Sequence, residues 1–339
     1  MRNVGIVAIG RNEGERLHRC LNSVIGRGLT LVYVDSGSTD GSIELARDLG
    51  VEVVELDLSR PFSAARARNE GFERLCQINP EIRVVQFVDG DCEVIDGWLD
   101  RAVRTLEDHP DVAVVCGRRR ERFPEQTVYN HLADLEWDSP IGEAKACGGD
   151  ALMRVAAVQE AGGYNPGIIA AEDDEICLRM RGKGWRVLRI DCDMTLHDMA
   201  MTRFGQWWRR SVRTGHAYAE GSAMYGLTPE RHFVRQTRST IFWGIVLPLV
   251  SIGLAWPTWG ASLLLMAGYP MLFWRTYNYY AIQRGWPSAD ARLYAFWIVL
   301  AKAPHAVGLL RYWIGTSIGR RCSVIDYRGP TRVARSIVG

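Results

Sequence analysis

A parallel α/β sandwich joined to a separate apolar, basic tail is the fold class that these 339 residues predict. Three observations predict it. Short, continuous apolar runs alternate with segments of helical spacing through the first 120 residues, and strands that apolar are buried on both faces by crossover helices. Charge is divided unevenly: residues 1–221 hold 28 Lys/Arg against 36 Asp/Glu, while 222–339 hold 13 against three acids, Glu230, Asp290 and Asp326. Nine of the twelve Trp lie from Trp207 onward. An acidic domain over 1–221 followed by a basic, Trp-rich helical region over 222–339 is the division these patterns predict.

The elements follow in order. Val4–Ile9 reads as a buried strand, and Leu17, Cys20, Leu21 and Val24 give helical spacing over Glu15–Ile25. Leu29–Val34 is a second strand, and Ser38-Thr39-Asp40 offers N-caps for a helix ending near Leu49. Val51–Leu56, Val84–Val88 and Val112–Cys116 supply three more strands, with helices expected over Ser63–Cys76 and Ile95–Leu106.

The tail is different in kind. From Arg238 to Arg275 there are 36 consecutive residues without a formal charge, interrupted near the middle by Trp256-Pro257-Thr258. That predicts an apolar hairpin over about 240–274, spanning or re-entrant. Arg231, Arg235 and Arg238 on one side and Arg275 and Arg284 on the other place both ends in the cytoplasm. The stretch over about 291–318, broken by Lys302, Pro304 and Arg311, reads as an amphipathic interfacial helix with Trp297 and Trp313 at headgroup depth.

Composition excludes several classes. With 47% hydrophobic residues the chain is neither disordered nor a small disulfide scaffold. Its eight Cys lack CxxC or zinc spacing, which predicts a reducing compartment and no structural metal. No signal peptide is read at Met1–Ile9. Nucleic-acid binding is not expected, because the front is acidic and the basic tail is apolar.

Polar residues follow the apolar runs where ligands gather in α/β sheets, at strand carboxyl ends. Asp35-Ser36-Gly37-Ser38 after the second strand fits either a grip on a nucleoside or a capped turn. Asp89-Gly90-Asp91 after the fourth offers two carboxylates to one hard divalent cation, or again a turn. Glu172-Asp173-Asp174-Glu175 opens a helix, where acids favour the dipole. Four adjacent acids also repel one another and raise a pKa, which suits a general base. Gly148-Gly149-Asp150 gives close-approach backbone. His197 can join Asp91 at a metal or serve a structural role. Trp207-Trp208-Arg209 combines stacking surface with a guanidinium, for an acceptor or for an interfacial helix face.

Taken in order, Ala8–Glu13, Val34–Ser42, Ala67–Gly71, Asp89–Asp91, Gly148–Asp150, Gly162–Tyr164 and Glu172–Arg179 resemble the family 2 inverting glycosyltransferases, over roughly residues 4–215. The resemblance implies a GT-A fold, a Rossmann-like nucleotide-binding sandwich. It also implies a nucleotide-sugar donor and Mg²⁺ or Mn²⁺. By position, Asp35 would meet the base with Asn12 nearby, Arg68 would line the nucleotide cleft, and Asp89 would sit by the ribose. Asp91, joined by His197, would bind the metal. Asp173, or its neighbour Asp174, would deprotonate the acceptor hydroxyl, with Gly149, Asp150, Glu172, Trp207, Trp208 and Arg209 on the acceptor side. Processive synthases carry Gln-x-x-Arg-Trp, whereas Gln206-Trp207-Trp208-Arg209-Arg210 lacks the final Trp, so transfer of a single sugar is expected. The apolar tail points to an acceptor held in the membrane, such as a polyprenyl-phosphate-linked saccharide, and to the cytoplasmic face of the cell membrane. Two other readings are a non-catalytic membrane partner that retains the fold and a sugar-nucleotide pyrophosphorylase. Intact Asp35, Asp91 and Asp173 disfavour the first. The lack of a Gly-rich phosphate loop at Gly10–Glu13 disfavours the second.

Overall fold

The computed structural model describes residues 3–319, so Cys322 and the basic residues of 320–339 lie outside the described residues. Two compact units divide between Ala200 and Met201.

The first unit is built on β1 (Val4–Gly10), β2 (Thr30–Asp35), β3 (Glu52–Glu55) and β4 (Val84–Asp89), with helices α1 (Glu15–Asn22), α2 (Ser42–Asp48) and α3 (Ala64–Ile78) between them. β1 lies parallel between β2 and β4, with Val7 in register with Val32 and Phe87. Helix α3 settles against β1 and β2 because Gly71 leaves room: a Cβ there would stand 2.5 Å from Val7 Cγ1 and 2.7 Å from Val34 Cγ2.

Beyond β4 the sheet departs from the all-parallel expectation. After β5 (Cys92–Val94), α4 (Trp98–Asp108), β6 (Val112–Glu121), α5 (Val128–Glu136), β7 (Gly142–Glu143), β8 (Ala151–Arg154), α6 (Val155–Ala161), α7 (Glu172–Gly182) and β9 (Arg186–His197), the strand order is β3-β2-β1-β4-β8-β6-β9-β5, with β7 on β9. β8 is antiparallel to both β4 and β6, whereas β9 is parallel to β6. Strands of two to four residues such as β5, β7 and β8 carry too few positions for a readable period. β6 runs on past Cys116 through three arginines, and ion pairs from Arg118 to Asp134 (3.0 Å) and from Arg120 to Asp193 (3.1 Å) support that polar end. Buried Trp98 anchors the core, its indole N–H donating to Gln86 Oε1 at 2.8 Å.

The second unit begins with α8 (Phe204–Tyr225). The division falls before α8 rather than after residue 221 because α8 lies backbone-to-backbone along α13 (Lys302–Ser317): a Cβ on Gly308 would stand 2.0 Å from Val212 O. Helix α9 (Val234–Ile241) passes through a π turn (Phe242–Val246) into α10 (Leu247–Gly253). A 3₁₀ segment (Ala261–Ala267) leads the return arm into α11 (Gly268–Asn278) and a second π turn (Tyr279–Gln283). These arms are antiparallel: Ser262 Oγ donates to Ser251 O at 2.7 Å and Tyr269 OH to Trp243 O at 2.5 Å. Helix α12 (Ser288–Leu300) continues almost directly into α13, and the joint run Ser288–Ser317 is the one helix among the described residues long and apolar enough to cross a membrane. Trp297, expected at headgroup depth, is half-buried and packs edge-on against Trp207 at 4.6 Å.

Candidate active site

The carboxyl ends of β1, β2 and β4 carry the first group of polar residues. Asp35 ends β2 and is fully buried. Its carboxylate accepts from Tyr33 OH (2.9 Å), from the N–H groups of Gly37 (2.8 Å) and Ser38 (2.7 Å), and from Ser38 Oγ. Both oxygens are engaged by the chain itself, in the manner of a capped turn, one of the two readings open in the sequence. Asn12, with φ of 55°, joins the β1 loop to that turn, its N–H donating to Ser38 Oγ and its Oδ1 accepting from Thr39 N, both at 2.8 Å.

At the end of β4 the two acids of Asp89-Gly90-Asp91 face different partners. Asp89 takes Arg68 Nη2 at 2.7 Å and Arg119 Nη2 at 3.5 Å. Asp91 is buried and faces His197 Nε2 at 3.3 Å, and on the ring's other side Nδ1 lies 3.6 Å from Glu121 Oε2. Burial opposes a charged imidazole here, yet Asp91 and Glu121 outweigh it and push His197 up to about 9. Ligand atoms of Asp91, Cys92 and His197 lie within 4.8 Å of one another. Of these, the Asp91 carboxylate and the His197 imidazole suit a divalent cation such as Mn²⁺, whereas burial keeps the Cys92 thiol protonated; Glu121 stands behind the ring, where a carboxylate would orient a histidine toward a metal.

Asp150 lies behind the Asp-Gly-Asp turn. It is fully buried, accepting from Asp89 N–H (3.0 Å) and Thr195 Oγ1 (2.8 Å) and pairing with Arg119 Nη2 (2.8 Å). These contacts hold the Asp-Gly-Asp turn in place. Gly149 must be glycine at this place: φ is +94°, and a Cβ would stand 3.0 Å from Arg119 Nη2 and 3.5 Å from Asp89 Oδ2.

Helix α7 brings in the remaining acids. Glu172 is buried and accepts from Arg68 Nη1 at 2.6 Å. Asp173 and Asp174 are half-buried in the same first turn. Desolvation, with Glu172 alongside, raises the Asp173 carboxyl despite Arg68. Desolvation together with Asp173 and Glu172 raises Asp174 well above the usual carboxylate range.

Three residues of the site belong to no motif in the sequence. Arg119 bridges Asp89 and Asp150, and its guanidinium lies 5.4 Å over the Trp137 ring. Trp137 in turn meets the His197 ring edge-on at 4.8 Å. Glu121 accepts from Met199 N–H at 3.1 Å while facing His197. The one signal available for them is a run of three arginines continuing an apolar strand.

In the second unit, Trp207 is buried against Phe204 and Trp297. Trp208 is half-buried beside Phe204, and Arg209 is half-buried on the same helix.

A mixed sheet with an Asp-Gly-Asp turn at the end of its fourth strand and an acidic helix start nearby defines a nucleotide-sugar-type transferase fold. Glycosyltransferase AglE of Haloferax volcanii is 30% identical over 227 residues, 62% of this chain and 71% of that one. The pre-mycofactocin glycosyltransferase of Mycobacterium tuberculosis is 25% identical over 232 residues, 64% of this chain and 47% of that one. The mannosyltransferase PcManGT of Pyrobaculum calidifontis, solved with GDP-Man and Mn²⁺, shares the fold with a TM-score of 0.61 at 19% identity, covering 92% of this chain and 88% of that one. The family pattern of glycosyl transferase family 2 matches residues 6–155. The chain belongs to glycosyl transferase family 2, with a GT-A fold, and is a glycosyltransferase.

Proposed function

We propose that the enzyme is a divalent-metal-dependent, inverting transferase that moves one sugar from a nucleotide donor to a membrane-held acceptor. A polyprenyl-phosphate-linked saccharide at the cytoplasmic face of the membrane fits that role. The observation that carries this reading is the Arg68 bridge. One buried guanidinium holds Asp89 of the Asp-Gly-Asp turn at 2.7 Å and Glu172, beside the Asp173–Asp174 pair, at 2.6 Å. Inversion is a single in-line displacement, so a base must stand on one side of the sugar and charge compensation for the diphosphate on the other. A shared guanidinium keeps those two groups in fixed relation.

Asp173 takes the acceptor proton, and a carboxyl raised above its ordinary range is a stronger base. Asp174 is the alternate base. Asn12 lines the nucleotide side, Asp89 meets the ribose, and Arg68 holds Asp89 in place. Asp91 and His197 would hold Mg²⁺ or Mn²⁺, which when bound offsets charge on the departing diphosphate.

The test is calorimetry with a panel of nucleotide sugars, GDP-mannose first, with and without Mn²⁺, followed by NMR of the product's anomeric centre. Metal-dependent binding of one donor and an inverted product are expected. A product of retained configuration, or full donor affinity in chelator, overturns the corresponding part of the reading.

A further inference from the structure

We propose that the helical hairpin of residues 242–274, and not the longer apolar helix Ser288–Ser317, is the segment that enters the lipid bilayer, with Trp256 and Trp259 carried to the far headgroup layer. This deepens the membrane-held reading and rests on it for the membrane alone.

The hairpin is apolar outward as well as inward. Trp256 is 93% exposed, Trp259 98% and Leu264 77%, and Leu249, Ile252, Met271 and Trp274 are exposed around them. Its hydroxyls are engaged by the chain itself, with Ser251 and Ser262 buried. The hydroxyls of Ser251, Thr258, Ser262, Tyr269 and Thr276 each donate to a backbone carbonyl of the hairpin itself. Water would satisfy those groups for a surface facing solvent. A surface facing hydrocarbon has to satisfy them internally.

Length and charge agree with insertion. From Arg238 to Gly253, where α10 ends, the first arm rises about 23 Å at the helical pitch, and the turn that carries Trp256 and Trp259 extends it toward the roughly 30 Å of a hydrocarbon core. Arg231, Arg235 and Arg238 stand at the entry of the hairpin, and Arg275 and Arg284 at its exit, where anionic headgroups meet guanidinium. The two exposed Trp at the opposite end match the aromatic belt of a second interface.

Helix Ser288–Ser317 is the obvious rival, being long and apolar enough to cross a membrane. Its second half is pinned to α8. A Cβ on Gly215 would stand 2.1 Å from His305 O, so the two backbones touch. Helix α8 carries Arg209, Arg210, Arg213 and Glu220, and a span in backbone contact with it would draw those charges toward hydrocarbon.

Flotation of the full chain with phosphatidylglycerol–phosphatidylcholine vesicles tests the assignment. Leu249→Glu and Leu264→Glu should each lower the bound fraction at least tenfold, while Ile314→Glu, also exposed but on α13, should bind as the parent does. Circular dichroism melts should be unchanged in all three, since these side chains are exposed. Loss of binding in Ile314→Glu with retention in Leu264→Glu overturns the choice of segment, as does a parent chain that stays in the supernatant. GDP-mannose binding on the same samples reports separately on the transferase reading. Crossing is tested with Trp256→Cys in sealed inverted vesicles and an impermeant maleimide, against the parent's own background. Labelling only after detergent is expected; labelling without it means that the tip does not cross.

Discussion

Arg68 Nη1 meets Glu172 Oε1 at 2.6 Å although 104 residues separate them, and the same guanidinium's Nη2 holds Asp89 at 2.7 Å. A planar fork with two parallel donors can serve two carboxylates at once, which an ammonium cannot do with the same rigidity. The geometry of the site therefore depends on arginine here in particular, and not on positive charge alone.

Arg68→Ala should be among the most damaging single changes in the first unit. It leaves Glu172 buried and Asp89 short of one partner, a situation that costs about 3–5 kcal/mol when one member of a buried pair is removed. Urea unfolding followed by tryptophan fluorescence measures it. Arg68→Lys should recover part of the stability and little of the turnover; equal recovery of both would mean that the fork geometry is unimportant.

The metal assignment predicts a distinct pattern. His197→Ala removes a donor, and Glu121→Gln removes the carboxylate behind the ring, which lies 3.6 Å from Nδ1. Orienting partners of this kind are worth about 10–100-fold in metal affinity. Both variants should weaken Mn²⁺-dependent donor binding, His197→Ala the more strongly, while donor binding in chelator stays at the parent's level. Unchanged Mn²⁺ titrations in both would remove the metal from this position.

For the base, Asp173→Asn should abolish transfer with donor affinity nearly intact, because it deletes a proton acceptor without altering shape. Asp174→Asn should keep measurable turnover. If the two outcomes exchange, the base is Asp174, one position along the same helical turn.

Much of this site is legible in the amino-acid sequence, and the limits have physical causes. Strands β1, β2 and β4 are readable because both of their faces are buried, leaving continuous apolar runs that end in Asp35 and Asp89. The acidic start of α7 is readable from charge density alone. Asp35 and Asp150 read as ligand-facing because an acid after a strand looks the same in sequence whether it caps a turn or meets a ligand. In the structure both are buried and accept from donors of the chain itself. Arg119, Trp137 and Glu121 belong to no local motif. Arg119 and Glu121 reach the site because β6 and β9 lie side by side, a pairing created by a mixed sheet that the apolar pattern does not reveal.

The raised pKa of Asp174 makes a stability prediction with a definite sign. A carboxyl whose folded pKa lies above its unfolded value favours the fold while protonated, and that contribution is lost as pH rises through the folded value. Desolvation and the neighbouring Asp173 and Glu172 push Asp174 in that direction. Crowding these carboxyls in a desolvated helix turn is thus a cost that the fold carries for its chemistry. Asp174→Asn should raise the melting temperature at pH 7.5, and the gain should shrink toward zero as pH falls to the ordinary carboxylate range near ~4. Melts across that range measure it, and a gain independent of pH would assign the effect to packing instead.

The glycine contacts of the second unit lead to the last expectation. A Cβ on Gly308 would stand 2.0 Å from Val212 O and 2.7 Å from His216 N, both backbone atoms of α8 that cannot rotate aside. Relief requires α8 and α13 to separate along their whole contact, so Gly308→Ala should cost at least the upper end of the ~1–3 kcal/mol usual for overpacking. Gly253→Ala, in the same unit with open space at its Cβ, is the matched control. Helix propensity alone favours alanine over glycine by about 0.5–1 kcal/mol, so the control should be neutral or slightly stabilised while Gly308→Ala unfolds at lower temperature. Equal melts for the two variants would mean that the backbones of α8 and α13 do not touch in solution.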